Sequence, residues 1–174
     1  FTVTRCHFNN MRHLFNNNEG IILSDNQNIV LTFEYCTFHN IGTGNSQNMF
    51  KINTDQSDLN LIGCTFSLDE ASVGCPLCNF KIRTLTISEC TFIKPPINMI
   101  RFAQGNTQMT FRNNIVQDVS YTFIMSTTMT NKPIIESNVF ENVNIASGYF
   151  ISWTFNQEEI RLFNNTYSHF TATG

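Results

Sequence analysis

Few side chains in this chain can do chemistry, and their spacing limits what they can do. The chain has 174 residues, with six cysteines and four histidines. Cys75-Pro76-Leu77-Cys78 brings two thiols to the spacing of a metal half-site or a redox pair. A structural zinc needs four ligands, and no second such pair or nearby histidine pair completes the set. A redox pair belongs before a helix in a thioredoxin-like unit, which this sequence does not offer. The leading reading is a local loop disulfide between Cys75 and Cys78 or a free pair, ahead of pairing elsewhere and of metal. The aspartates Asp25, Asp55, Asp58, Asp69 and Asp118 all fall in expected loops or turns. Glycoside cleavage needs paired carboxylates, one to protonate the leaving oxygen and one to activate water or attack. No two aspartates hold outward strand positions in neighbouring repeats, and Glu34 and Glu136 share a place in the repeat but lie several repeats apart. His7, His13, His39 and His169 share no spacing and have no recognisable Ser, Cys or Asp partner, so a nucleophile–base–acid triad has no sequence support. The expectation is a chain without catalytic residues, cofactor or metal.

The other four cysteines follow a repeat. Around Cys36, apolar residues stand five and three before (Leu31, Phe33) and two and five after (Phe38, Ile41). The same frame fits at Cys6, Cys64 and Cys90, and then at Asn114, Asn138 and Asn165, with anchors 24 to 30 residues apart. Alternation before the anchor and again after it marks two short strands. The three-residue step between them breaks the alternation and places a bend at Glu34-Tyr35, Ile62-Gly63, Ser88-Glu89 and Arg112-Asn113. A third apolar piece follows at a variable distance, as in Phe50-Lys51-Ile52, Phe80-Lys81-Ile82 and Ile100-Arg101-Phe102. A fixed period of this length with strand-like alternation means a solenoid. The expected fold is all-β: a parallel β-helix with three short strands per coil and about six to seven coils, one domain spanning residues 1–174.

The anchors Cys6, Cys36, Cys64, Cys90, Asn114, Asn138 and Asn165 then form an inward structural ladder. Stacked asparagines can pass hydrogen bonds from amide to amide, and cysteine in the same slot is read as a small buried hydrophobe. Parallel side chains make a poor disulfide geometry, so these thiols are expected to be free.

Charged residues make up only 13% of the chain and the formal net charge is −3, so no broad basic field attracts nucleic acid. No apolar run approaches the length of a membrane span. The chain begins and ends inside the repeat pattern, which leads to the expectation of a segment of a longer solenoid or of a module that stacks on neighbouring copies. Asn164-Asn165-Thr166 is an N-glycosylation sequon whose Asn164 falls at a bend and should face solvent.

Cys36-Thr37-Phe38-His39-Asn40-Ile41, with Phe8-Asn9-Asn10-Met11 and Phe140-Glu141-Asn142-Val143, resembles the repeats of right-handed parallel β-helix proteins of the pectin-lyase-like superfamily. Within it, the repeat is most similar to that of polymorphic outer-membrane proteins and related surface proteins. This resemblance implies an extracellular or cell-surface protein, often an adhesin. The leading expectation is a non-enzymatic structural or adhesive segment with a glycan or host-surface ligand. The alternative is a pectin-lyase-like carbohydrate-active enzyme or glycan-binding module. Candidate surfaces are the threonine rows Thr37, Thr65, Thr91 and Thr2, Thr32, Thr86, Thr110, and a basic row of Lys51, Lys81 and Arg101 facing a glycan.

Overall fold

The computed structural model describes residues 1–10, 22–24, 28–41, 49–52, 56–70, 78–80, 82–102, 108–129, 133–155 and 160–172. Because each anchor frame carries two short alternating runs, the chain turns twice around each anchor and stacks each run on its counterpart in the next repeat. The first sheet stacks Thr2–Thr4, Val30–Glu34, Asp58–Ile62, Thr84–Ser88, Gln108–Arg112, Ile134–Glu136 and Arg161–Phe163. The second stacks His7–Asn9, Thr37–His39, Thr65–Ser67, Thr91–Ile93, Ile115–Val119, Val139–Ile145 and Thr166–Ala172. The third stacks Ile22–Ser24, Phe50–Ile52, Cys78–Phe80, Ile100–Phe102, Ile124–Met129 and Ile151–Phe155. Neighbouring strands pair in parallel throughout, so the fold is an all-β parallel solenoid with three sheets and, among the described residues, no helix.

Register follows the frame residue by residue. Leu59 lies between Leu31 and Leu85, and Leu61 between Phe33 and Ile87. These inward residues are fully or almost fully buried, together with Phe38, Phe66, Phe92, Phe111 and Phe140. Phe8, Phe38, Phe66 and Phe92 form one stacked column with centroids 4.9, 4.8 and 5.0 Å apart. The strand spacing of about 4.8 Å sets that distance, so the sheet register itself delivers the offset stacking that aromatic rings favour.

Each bend is made by a left-handed residue immediately before the anchor: Arg5, Tyr35, Gly63, Glu89, Asn113, Ser137 and Asn164, with φ between 54° and 60°. Six of these are not glycine, and the conformation costs each about 1–2 kcal/mol. Hydrogen bonds offset it: the Tyr35 N–H donates to the Ile62 carbonyl at 2.8 Å and the Gly63 N–H to the Ser88 carbonyl at 2.9 Å. A second left-handed position falls four residues after the anchor, at Asn10, Asn40, Lys94, Asp118, Asn142 and His169. This accounts for the Phe-x-Asn element, because asparagine tolerates that region better than most residues.

Gly63 has a second constraint. A Cβ built on it would lie 2.6 Å from the ring of Tyr35, which leans across the bend of the next coil. Gly63→Ala should therefore destabilise the chain by about 2 kcal/mol or more, through backbone strain and displacement of the ring. The loss, read from urea unfolding, should shrink when Tyr35 is also replaced by Ala. An equal loss in both backgrounds would show that the ring plays no part.

Candidate functional site

The ladder is the most continuous polar feature of the interior. Its members bridge the place where the bend interrupts direct strand pairing. The Asn138 Oδ1 accepts the Asn114 N–H at 2.9 Å, and its Nδ2 donates to the Phe111 carbonyl at 3.0 Å. Asn165 repeats the arrangement one coil on, accepting the Asn138 N–H at 3.0 Å and donating to the Ile135 carbonyl at 2.9 Å. The amides also pass a bond along the stack, Asn114 Nδ2 to Asn138 Oδ1 at 3.0 Å and Asn138 Nδ2 to Asn165 Oδ1 at 2.9 Å.

The cysteines do the same work, which differs from the expectation that they act only as small hydrophobes. The Cys90 Sγ accepts the Cys64 N–H at 3.4 Å, and its S–H faces the Leu61 and Ser88 carbonyls at 3.4 and 3.3 Å. The Cys36 Sγ accepts the Cys6 N–H at 3.5 Å. A thiol is both donor and acceptor, so it can replace an amide here, with longer and weaker bonds. Cys6, Cys36, Cys64 and Cys90 are free thiols, Cys6 half-buried and the others buried. The S–H of Cys90 lowers the Cys64 thiol to about 7, and the same bond, with burial, pushes Cys90 up.

A second cluster lies at the outer corner of the second sheet. His39 Nδ1 is 2.9 Å from Ser67 Oγ, and His39 Nε2 is 3.4 Å from Asp69 Oδ1. The Asn40 Nδ2 donates to Asp69 Oδ2 at 2.7 Å and lies 3.2 Å from His39 Nε2, while Lys94 Nζ donates to the Asp69 carbonyl at 2.7 Å. Sequence reasoning gave His39 no partner. The signal was available, because His39 and Ser67 each stand three residues after their anchors and so share an outward row.

Serine, histidine and aspartate are the residue types of acyl transfer, but the geometry opposes it. Nε2 is shared between the Asn40 amide at 3.2 Å and Asp69 at 3.4 Å, so the carboxylate does not hold the ring alone. Asp69 is 74% exposed at its side chain. The Leu68 N–H, which would be placed to hold an oxyanion, is already bound to the Ile93 carbonyl. The adjoining cavity, lined by Ile41, Met49, Ser67, Leu68, Ile93 and Pro95 among others, measures ≈ 20 Å³. In that measure one water needs about 10–15 Å³, so the space does not admit a substrate.

The other expected positions divide. Asp58 does not lie in a loop: it opens the strand Asp58–Ile62, where Arg83 Nε donates to its Oδ1 at 2.9 Å. The basic row is broken. Arg101 is exposed and pairs with Asn79 and Met125, not with Lys81. Cys78, not Phe80, stands opposite Phe50 and Ile100, because the third strand follows the anchor at no fixed distance. Lys51 lies on the third sheet, while Lys81, Cys75, His13, Asp25 and Asp55 lie outside the described residues. Cys78 begins a strand rather than sitting in a loop. Asn164 is exposed at its bend. Among the described residues no three His, Cys, Asp or Glu side chains gather to hold a metal, and no helix is long and apolar enough to cross a membrane. No protein family, curated protein or solved structure matches this chain.

Two substitutions check these assignments. Asn138→Leu keeps the volume but strands the Asn114 N–H and the Phe111 carbonyl in the interior. It should cost on the order of 3 kcal/mol in urea unfolding, while Asn138→Cys should cost clearly less. Equal losses would mean that the slot measures volume alone. The Arg83 guanidinium, bonded to Asp58, holds that carboxyl below its ordinary 3.8. A carboxyl with a lowered folded-state pKa adds stability above its unfolded value and loses it as pH falls through the folded one. Asp58→Asn should therefore flatten the acid limb of the stability profile below about pH 4, and an unchanged limb would remove the ion pair from the account.

Proposed function

We propose that this chain is a structural or adhesive segment of a secreted or cell-surface protein, working through its outer sheet faces and without catalysis. The observation that carries this reading is where the polar groups go. Cysteines and asparagines of the ladder are spent on joining coils, Asp58 on Arg83, and His39, Asn40 and Asp69 on one another. The side chains left outward form aligned rows: Thr2, Thr32, Asn60, Thr86 and Thr110 on the first sheet, Thr37, Thr65 and Thr91 on the second. Such rows give a long, shallow, hydrogen-bonding surface suited to a glycan or another extended ligand on a host surface.

The likeness of the repeat to pectin-lyase-like and polymorphic outer-membrane repeats supports an extracellular setting, as does the exposed sequon at Asn164. With a net charge of −3, nucleic acid is not the partner.

Binding to a glycan array and to cultured cells tests this. Glutamate at Thr32, Thr86 and Thr110 together should weaken binding by about tenfold or more without moving the unfolding midpoint. Incubation with plant and microbial polysaccharides should release no reducing ends. Their release would replace this reading with that of a carbohydrate-active enzyme, and a folded protein that binds neither glycans nor cells would end the adhesive part of it.

A further inference from the structure

We propose that the stacked thiols of Cys64 and Cys90 form a linear two-ligand site for a soft monovalent cation, with copper(I) as the biological case. Cys64 and Cys90 are anchors of neighbouring coils, and their strands lie about 4.8 Å apart. A thiolate bond to zinc, the neighbouring ion of the same d-electron count, is about 2.3 Å, and twice that length is close to the strand spacing. A cation placed between the two sulfurs thus needs no movement of the backbone. Thiolate is also the ligand that selects copper(I) over harder ions.

The surroundings suit the charge. The Cys90 Sγ already accepts the Cys64 N–H at 3.4 Å, a bond that strengthens when sulfur becomes anionic. Both thiols are buried among apolar side chains, which shields a bound copper(I) from water. The gathering of three or more ligands is not required, since copper(I) is satisfied by two. Loading releases two protons from two thiols and leaves an S–Cu–S unit with one net negative charge. No electron is transferred. The S–H bonds to the Leu61 and Phe33 carbonyls are given up, so the site competes with the ladder it is part of.

The chain supplies its own control. Asparagine already fills the same slot at Asn114, Asn138 and Asn165, so Cys64→Asn and Cys90→Asn remove the sulfurs while keeping a donor and an acceptor at each place. The experiment uses the full chain, reduced, with Cys6→Asn, Cys36→Asn, Cys75→Ser and Cys78→Ser to silence the other four thiols. It is titrated anaerobically with copper(I) against a colorimetric copper(I) chelator. The expected result is one copper retained per chain, with ultraviolet thiolate-to-copper absorption and a raised unfolding temperature. The double Asn variant should fold and lose that copper, its affinity falling about a hundredfold or more. If the double variant does not fold, Cys90→Asn alone, which extends the asparagine run from Asn114, should show the same fall. Retention of copper by a folded Asn variant would overturn the site, and so would failure of the parent protein to take up copper.

Discussion

The structure depends on one constraint: a chain that bends left-handed before each anchor leaves the anchor N–H and the carbonyl three residues before it without a backbone partner. At that place one N–H and one carbonyl per coil face the interior with no strand partner. Burying them unpaired would cost about 1–3 kcal/mol each, a heavy loss repeated in every coil. A short side chain with both donor and acceptor removes the loss, provided that it points inward at the same position each time. The anchor does this, so its spacing sets the coil length, the coil sets the register, and the register aligns both the buried phenylalanines and the outward threonines. The left-handed residues beside it are the counterpart: their N–H groups return to the neighbouring coil and keep the ladder continuous across the corner.

Much of this was legible in the sequence, and for a physical reason. A solenoid repeats its environment, so a requirement felt once is felt in every coil and becomes visible as a period. The first two sheets, their inward rows and the positions of the bends follow from the spacing of Cys36, Cys64, Cys90 and Asn114. The third sheet was less legible because the segment between the second strand and the third varies in length. No shared distance fixes its register, and the alternation at Cys78–Phe80 reads equally well two residues later. That shift carried Lys81 into a row where Asn79 belongs.

The outer corner was missed for a different reason. Motif reasoning looks along the chain, where His39 and Ser67 are 28 residues apart, whereas a solenoid brings together residues at equal offsets in successive coils. Reading columns rather than segments finds the pair at once. The same reading shows why chemistry is hard to infer from residue types here: neighbours in a column are close by construction, so Ser, His and Asp meet without having been arranged for catalysis. What separates the cases is the setting, and at His39 the carboxylate is exposed and the adjoining space is about the size of one water.

The change of anchor from cysteine to asparagine divides the solenoid into two parts held by different bonds. The amide bonds run from 2.8 to 3.1 Å, and the thiol contacts from 3.3 to 3.6 Å. Sulfur is the weaker donor and the weaker acceptor, so the coils anchored at Cys6, Cys36, Cys64 and Cys90 gain less at the bend than those anchored by asparagine. An aromatic column runs through the same coils. Phe8, Phe38, Phe66 and Phe92 stack without a break through the thiol coils, and Val116 interrupts the column in the coil where asparagine begins. The column resumes in the asparagine coils, where Phe140 stacks on Tyr167 with centroids 5.1 Å apart, so the break is confined to Val116. Ring packing serves both parts, and the slot tolerates two residue types because thiol and amide each supply a donor and an acceptor.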